Sequence, residues 1–212
     1  MIRHLIPAAA AMLLLPALSL SASAAIKYDP SWPCQQRKVP ELSLGQFWNG
    51  PDLPKSAADW EKDSAVSVLV EEVAQRRVPL DEANKKIVDF AASLAPDKKQ
   101  DRMMMVVQGL FDHMGRERSD VMSGISHYAH SQADLAAYVR KESSELDAFR
   151  DKPGADPDEV DRRTDKLNMD IRTFEERTKS LTYVCEVPTV IEQRLYQLMK
   201  TVAGTVADQK KK

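Results

Sequence analysis

The sequence predicts an all-α protein: a helical bundle built around a long antiparallel helical hairpin, with an extended Pro/Trp-rich N-terminal arm. Three observations support this fold class. Glycine is scarce, with seven residues in 212, and helix-forming residues dominate from Ser56 onward. Apolar residues recur at steps of three and four through the last hundred residues. Five of the twelve prolines lie in residues 25–55, a density that excludes a helix there.

The first 24 residues have the features of a cleaved signal peptide. A basic residue precedes an apolar run that ends near Leu20, and small residues follow it. The tripeptide Ala22-Ser23-Ala24 fits the small-x-small pattern that signal peptidase accepts. An uncleaved membrane anchor is the alternative, and Pro16 with the Ala/Ser-rich exit favours cleavage. No later stretch approaches the ~20 apolar residues of a membrane helix, so we expect a periplasmic or secreted protein without an integral membrane segment.

Residues 25–55 are predicted to form an extended arm that lies along the rest of the protein. Their prolines exclude a helix, and their aromatic residues argue against a disordered linker, because such segments are poor in aromatics. Trp32, Phe47 and Trp48 are the expected anchors. The alternative is that these aromatic side chains form an exposed patch that binds a partner.

Shorter helices are predicted upstream of the hairpin. A first helix covers Ala57 to about Arg77, and Pro79 opens a second one. Proline suits the first helical position, and the two acidic residues after it complement the positive end of the helix dipole. A third helix begins near Pro96. The sequence leaves open whether it continues through Gly115 into the next helix.

The bundle spans residues 56–212, and the predicted hairpin, residues 119–185, is its central element. Two heptad seams lie on either side of the helix-breaking segment RDKPGADPDE. Antiparallel pairing of the seams requires that the numbers of facing residues sum to about 310. Gln132 then lies opposite Thr178, which predicts one hydrogen-bonded polar layer in an apolar seam.

The two cysteines are predicted to form one disulfide. Cys34 lies in the arm and Cys185 near the end of the second seam. Exported proteins occupy compartments where disulfides form, and a bridge would close a loop of about 150 residues. Two free buried thiols and a bridge between two copies remain alternatives. Pro188 predicts that the helix kinks or restarts near Cys185, with a separate C-terminal helix over about 189–208.

Methionine and histidine are the residue types that could bind a metal. Soft thioether and imidazole ligands select Cu(I), and two histidines three residues apart share one helix face. Methionines at helical spacing more simply form a core stripe or an adaptable binding surface. We therefore expect no metal or cofactor site. The residues concerned are Met103, Met104, Met105, His113, His127 and His130.

The sequence contains no recognisable catalytic motif. It lacks G-x-S-x-G, H-E-x-x-H and a glycine-rich phosphate loop. A formal net charge of −2 argues against a general nucleic-acid binder. We expect a non-enzymatic exported protein that acts by macromolecular binding, as an adaptor, an accessory subunit or a chaperone-like protein. Its partner would be another protein of the cell envelope, and a homo-oligomer is compatible with the sequence. The alternative function is a periplasmic copper or cofactor carrier with Met/His ligands.

Overall fold

The computed structural model describes residues 29–207. The predicted signal peptide and its cleavage site lie outside the described residues, as does the end of the predicted C-terminal helix. Within the described range all regular secondary structure is helical, which confirms the all-α prediction. The elements in chain order are two 3-10 helices, Leu44–Gln46 and Lys55–Lys62, and four α-helices: α1 Ser64–Ala74, α2 Leu80–Ser93, α3 Pro96–Arg150 and α4 Pro157–Ala207.

Helices α3 and α4 form the predicted antiparallel hairpin. Helix α3 runs through Gly115 without a break, so the third predicted helix and the first hairpin arm are one helix of 55 residues. A short turn then reverses the chain before α4. Gly154 has a φ of 78° in this turn, a left-handed conformation that glycine adopts without steric cost.

The predicted first helix, from Ala57 to Arg77, is in fact two elements that meet at Asp63. The backbone of Asp63 is extended, and its carboxylate accepts two N–H groups from the first turn of α1. The same carboxylate accepts hydrogen bonds from the guanidinium of Arg102 on α3, which holds its pKa below the ordinary value. The helix therefore restarts at a residue that also fixes α1 against α3.

The predicted restart at Pro188, with a separate C-terminal helix, is wrong. Helix α4 runs from Pro157 to Ala207 with Pro188 inside it, so no separate C-terminal helix exists in the described range. Proline in a helix interior costs ~3 kcal/mol. Each large apolar side chain buried beyond it stabilises the fold by about 1.5–3 kcal/mol, so their sum exceeds that cost. These buried residues are Ile191, Leu195, Leu198, Met199 and Val202.

The hydrophobic core lies in a helical body at one end of the molecule. It is formed by α1, α2, the first third of α3 and the last third of α4. Helices α3 and α4 are each other's main neighbours, and the shorter helices pack on them. Fully buried side chains come from each of these four α-helices and include Val66, Val70, Ile87, Met103, Leu110, Met114 and Leu195.

Trp60 packs against α3 at the point where that helix carries a glycine. The indole is buried, and its Nε1 donates a hydrogen bond to Asp112 Oδ2 at 3.1 Å. A Cβ placed on Gly109 would lie 2.8 Å from Cγ2 of Val70 and 2.9 Å from the indole ring of Trp60. The missing side chain of Gly109 therefore lets Trp60 and Val70 both reach the helix backbone.

We predict that Gly109→Ala destabilises the protein. The added methyl group meets Trp60 and Val70 at less than contact distance, and overpacking of this kind costs about 1–3 kcal/mol. The helix propensity gained, ~1 kcal/mol, offsets only part of that cost. Urea unfolding followed by circular dichroism measures the change.

Gly204→Ala is the matched control, because a Cβ on Gly204 would meet nothing within 4 Å. Its free energy of unfolding should rise by up to about 1 kcal/mol through helix propensity alone. Equal stabilisation of both variants would contradict the close packing of Trp60 on α3.

Candidate binding surface

The hairpin extends beyond the helical body with its outer faces uncovered. Its arms are about 45 Å long at 1.5 Å per residue. Across residues 127–180 only Ala129, Gln132 and Leu146 are buried. This part of the chain therefore contributes little to the core and presents most of its surface to solvent.

Hydrogen bonds across the hairpin show the register predicted from the heptads. Gln132 Nε2 donates to Thr178 Oγ1 and to the carbonyl of Phe174, both at 3.3 Å. Nearer the body, Arg118 Nε donates to Glu192 Oε1. The predicted polar layer between Gln132 and Thr178 is thus confirmed, and it lies within the seam between the two arms.

The polar layer is incompletely satisfied. Gln132 is 8% exposed, and within the described chain its Oε1 has no hydrogen-bond donor. A buried acceptor without a donor costs ~1–3 kcal/mol, whereas replacing both polar partners by apolar groups is neutral or stabilising. The layer therefore fixes the register at some cost in stability.

We predict that Gln132→Leu combined with Thr178→Val raises the free energy of unfolding by about 1–3 kcal/mol. Thr178→Val alone should lower it by ~1 kcal/mol, because Gln132 Nε2 then loses an acceptor. A double-mutant cycle by urea unfolding separates the two effects. A double variant that is less stable than the wild type would show that the layer is a net stabilising interaction and contradict this prediction.

A disulfide ties the arm to the base of the hairpin. The Sγ atoms of Cys34 and Cys185 lie 2.01 Å apart and their Cα atoms 5.5 Å apart, across a sequence separation of 151. Beside the bond, Gln36 Nε2 donates to Glu186 Oε1 at 2.6 Å. The arm is therefore attached to α4 covalently and by a neighbouring side-chain hydrogen bond.

From the disulfide the arm crosses α3 and reaches the far end of α4. The carbonyl of Val39 accepts from Arg118 Nη2 at 2.8 Å, and the ring of Phe47 lies 6.5 Å from that of Phe111. Trp48 is the one buried side chain among arm residues 29–55. Between the disulfide and Trp48, the arm is held by the Arg118 hydrogen bond and by the partly buried Leu42, Leu44 and Phe47, which pack against the core.

The three predicted anchors play different parts. Trp48 is buried in the core, and Phe47 packs against its edge. Trp32 is half-buried, and its Nε1 donates to the carbonyl of Gln36 at 2.7 Å within the arm itself. Trp32 therefore stabilises the local conformation beside Cys34, with Lys38 5.8 Å from its ring centroid.

Arg118 is a buried charge beneath the arm. The residue is 3% exposed, and its hydrogen bonds to Glu192 and to the Val39 carbonyl provide the partners that a buried charge needs. An open cleft of about 440 Å³ lies between this part of α3 and the arm. Two of its charged side chains already have protein partners, since Arg116 pairs with Glu61 and Asp112 accepts from Trp60.

The candidate ligands of the copper-carrier alternative lie in different environments. Met103 and Met104 are buried in the apolar core, and Met105 packs against it. In the part of the chain that the structure describes, no group of three or more His, Cys, Asp or Glu residues is placed to hold a metal ion. The histidines lie half-buried or exposed along α3: His113, His127 and His130.

One exposed apolar group at the base of the hairpin was not predicted. Tyr183 is 79% exposed, and Val184 and Val190 are also exposed on the same stretch of α4. The heptad pattern identifies Leu181 and Cys185 as seam residues and gives no information on the flanks. The available signal was the apolar character of Tyr183, Val184 and Val190 outside the seam positions.

The fold and its surfaces define an all-α protein with a helical body, an extending hairpin and a disulfide-tethered arm. No helix in residues 29–207 has the length and hydropathy needed to cross a membrane. Comparison of the chain with protein-family models, with curated proteins and with solved structures finds no match.

We predict that Cys34→Ser combined with Cys185→Ser releases the first half of the arm. No hydrophobic residue of the arm before Leu42 packs against the core, so residues 29–41 should lose protection from amide hydrogen exchange while the core helices keep theirs. The free energy of unfolding should fall by up to about 5 kcal/mol for a loop of this length.

Dithiothreitol-treated wild-type protein is the control for the double serine variant, because it loses the same bond without a change of sequence. Both samples should show the same local loss of protection. A non-reducing peptide map in which both wild-type cysteines are alkylated would contradict the Cys34–Cys185 disulfide.

Proposed function

We propose that this is an exported, non-enzymatic protein that acts by binding another protein of the cell envelope through its helical hairpin. The observation that carries the proposal is the exposed hairpin itself. Only three side chains are buried in residues 127–180, so both long helices extend far beyond the parts that pack in the core. An exposed helical surface of this length suits recognition of a macromolecule by an adaptor, an accessory subunit or a chaperone-like protein.

Two features support export. The first 24 residues have the pattern of a signal peptide, and disulfides such as Cys34–Cys185 form and persist in the periplasm or outside the cell. Together they favour a periplasmic or secreted location. The copper-carrier alternative has no comparable support, because its thioethers at Met103 and Met104 are buried among apolar side chains.

A shortened hairpin tests the proposal. Deleting residues 135–148 and 162–175 together removes two heptads from each arm and preserves the pairing of the remaining residues. The turn and the layer between Gln132 and Thr178 both stay. We predict that this variant is exported and folded like the wild type but loses its crosslinks to envelope partners, as measured by crosslinking in the native envelope and mass spectrometry.

The Gln132→Leu, Thr178→Val variant is the matched control, because it changes the seam and leaves the length and the outer faces of the hairpin intact. It should keep the wild-type crosslinks. Retention of every partner crosslink by the shortened protein, or recovery of self-crosslinks alone from the wild type, would rule the proposal out.

A further inference from the structure

A cavity of about 230 Å³ lies against the Cys34–Cys185 disulfide at the base of the hairpin. Both cysteines line it, together with arm residues and one face of α4. Cys34 is half-buried, whereas Cys185 is 6% exposed. Among the described residues, the main hydrophobic core includes neither cysteine. A reagent therefore reaches the sulfur of Cys34 from solvent without entry into the core.

The arm around Cys34 is held in shape by its own hydrogen bonds. Lys38 Nζ donates to Asp29 Oδ2 at 2.8 Å, and Ser31 Oγ donates to Asp29 Oδ1 at 2.7 Å. Trp32 Nε1 donates to the carbonyl of Gln36 at 2.7 Å. These bonds are local in sequence, so they do not depend on the helices. We call residues 29–41 the tethered loop.

Few contacts hold the tethered loop on the helices besides the disulfide. Within the described chain, its hydrogen bonds to α3 and α4 are those of Gln36 with Glu186 and of the Val39 carbonyl with Arg118. Oε1 of Gln36 is buried without a donor from the described residues, and water would reach it if the loop moved away. Hydration of a buried unpaired acceptor favours the released state. The disulfide is therefore the main attachment of the tethered loop.

The tethered loop covers one flank of α3. Ala129 and Ala136 occupy equivalent heptad positions, yet Ala129 is 7% exposed and Ala136 is only half-buried. The loop extends to the first of these positions, because Pro33 lines the same cavity as Leu181, which the hairpin register places opposite Ala129. Met122 lies on the same flank one heptad earlier and is 6% exposed. Departure of the loop should therefore expose Met122 and Ala129.

We infer that the Cys34–Cys185 bond is a thiol–disulfide exchange site, and that its reduction releases the tethered loop from the hairpin. The reductant is a dithiol, such as the paired thiols of an oxidoreductase in the same compartment. The inference goes beyond the proposed function, because it concerns the tether and does not depend on what the hairpin binds.

The exchange has two steps. A thiolate of the reductant attacks Sγ of Cys34, the S–S bond breaks, and its electron pair leaves on Sγ of Cys185. The second thiolate of the reductant then attacks the first reductant sulfur in the mixed disulfide and displaces Cys34 as a thiolate. The two cysteine thiolates take up the two protons that the reductant thiols released. Both cysteines are thereby reduced, and the reductant is oxidised to one disulfide.

Reduction of the folded, oxidised wild-type protein by glutathione tests the exchange site. We predict that the rate stays nearly constant as urea is raised below the unfolding transition, because attack through the cavity requires no global unfolding. Rapid alkylation and peptide mapping should find glutathione on Cys34 and a free thiol on Cys185. A rate that rises with urea as steeply as the global unfolding constant, or an adduct mainly on Cys185, would overturn the inference.

Thr182→Phe tests access through the cavity, because the exposed Thr182 is one of its lining residues. The added ring should slow reduction by glutathione about tenfold, equivalent to ~1.4 kcal/mol of activation free energy. Ser180→Phe is the matched control, since Ser180 is exposed on the same turn of α4 and lies outside the cavity lining. It should reduce at the wild-type rate. Equal rates in the two variants would contradict access through the cavity.

Oxidation by hydrogen peroxide tests the release of the loop in the Cys34→Ser, Cys185→Ser variant. Met122 should form the sulfoxide readily in this variant and slowly in the oxidised wild type, because its thioether becomes exposed. Met169 is 70% exposed and should react in both proteins, whereas the fully buried Met114 should react in neither. Mass spectrometry of the peptides measures all three. Equal protection of Met122 in the variant and the wild type would overturn the release.

Discussion

The antiparallel packing of α3 against α4 is the interaction on which every other element depends. These helices have 55 and 51 residues, whereas α1 has 11 and α2 has 14. Isolated helices shorter than about 12–15 residues are marginal in water, so α1 and α2 need a surface to pack on. The α3–α4 pair supplies that surface in the body and then continues alone as the hairpin. The arm likewise lies along the outside of the α3–α4 pair, from Cys185 to the end of α4.

Local patterns predicted the hairpin and its register, because both are encoded by the spacing of residues along one helix. The layer between Gln132 and Thr178 followed from heptad counting alone. The sequence did not predict where helices break or continue, since these points depend on tertiary contacts. Asp63 begins a new helix while it pairs with Arg102, which is distant in sequence. Pro188 stays helical because the side chains beyond it are buried.

The exposure of the apolar side chains at the base of the hairpin, Tyr183, Val184 and Val190, could not be predicted from the sequence for a related reason. A heptad pattern tells which side chains of α3 face α4, but it does not tell how far a third helix covers their flank. That limit is set by the end of α1 at Ala74, where Arg76 and Arg194 fix its last turn. Burial lowers the pKa of Arg194, and the charge of Glu117 opposes that effect.

The disulfide and the exposed Tyr183 lie on opposite faces of the same turns of α4, since Cys185 and Tyr183 are two residues apart. The bond holds α4 to the arm, and the arm in turn is held to α3 through Arg118 and to the core through Trp48. Helices α3 and α4 are therefore fixed relative to each other at the base of the hairpin. Binding to a preformed surface loses less conformational freedom than binding that must order it. The tether at Cys185 would thus favour the hairpin binding that we propose.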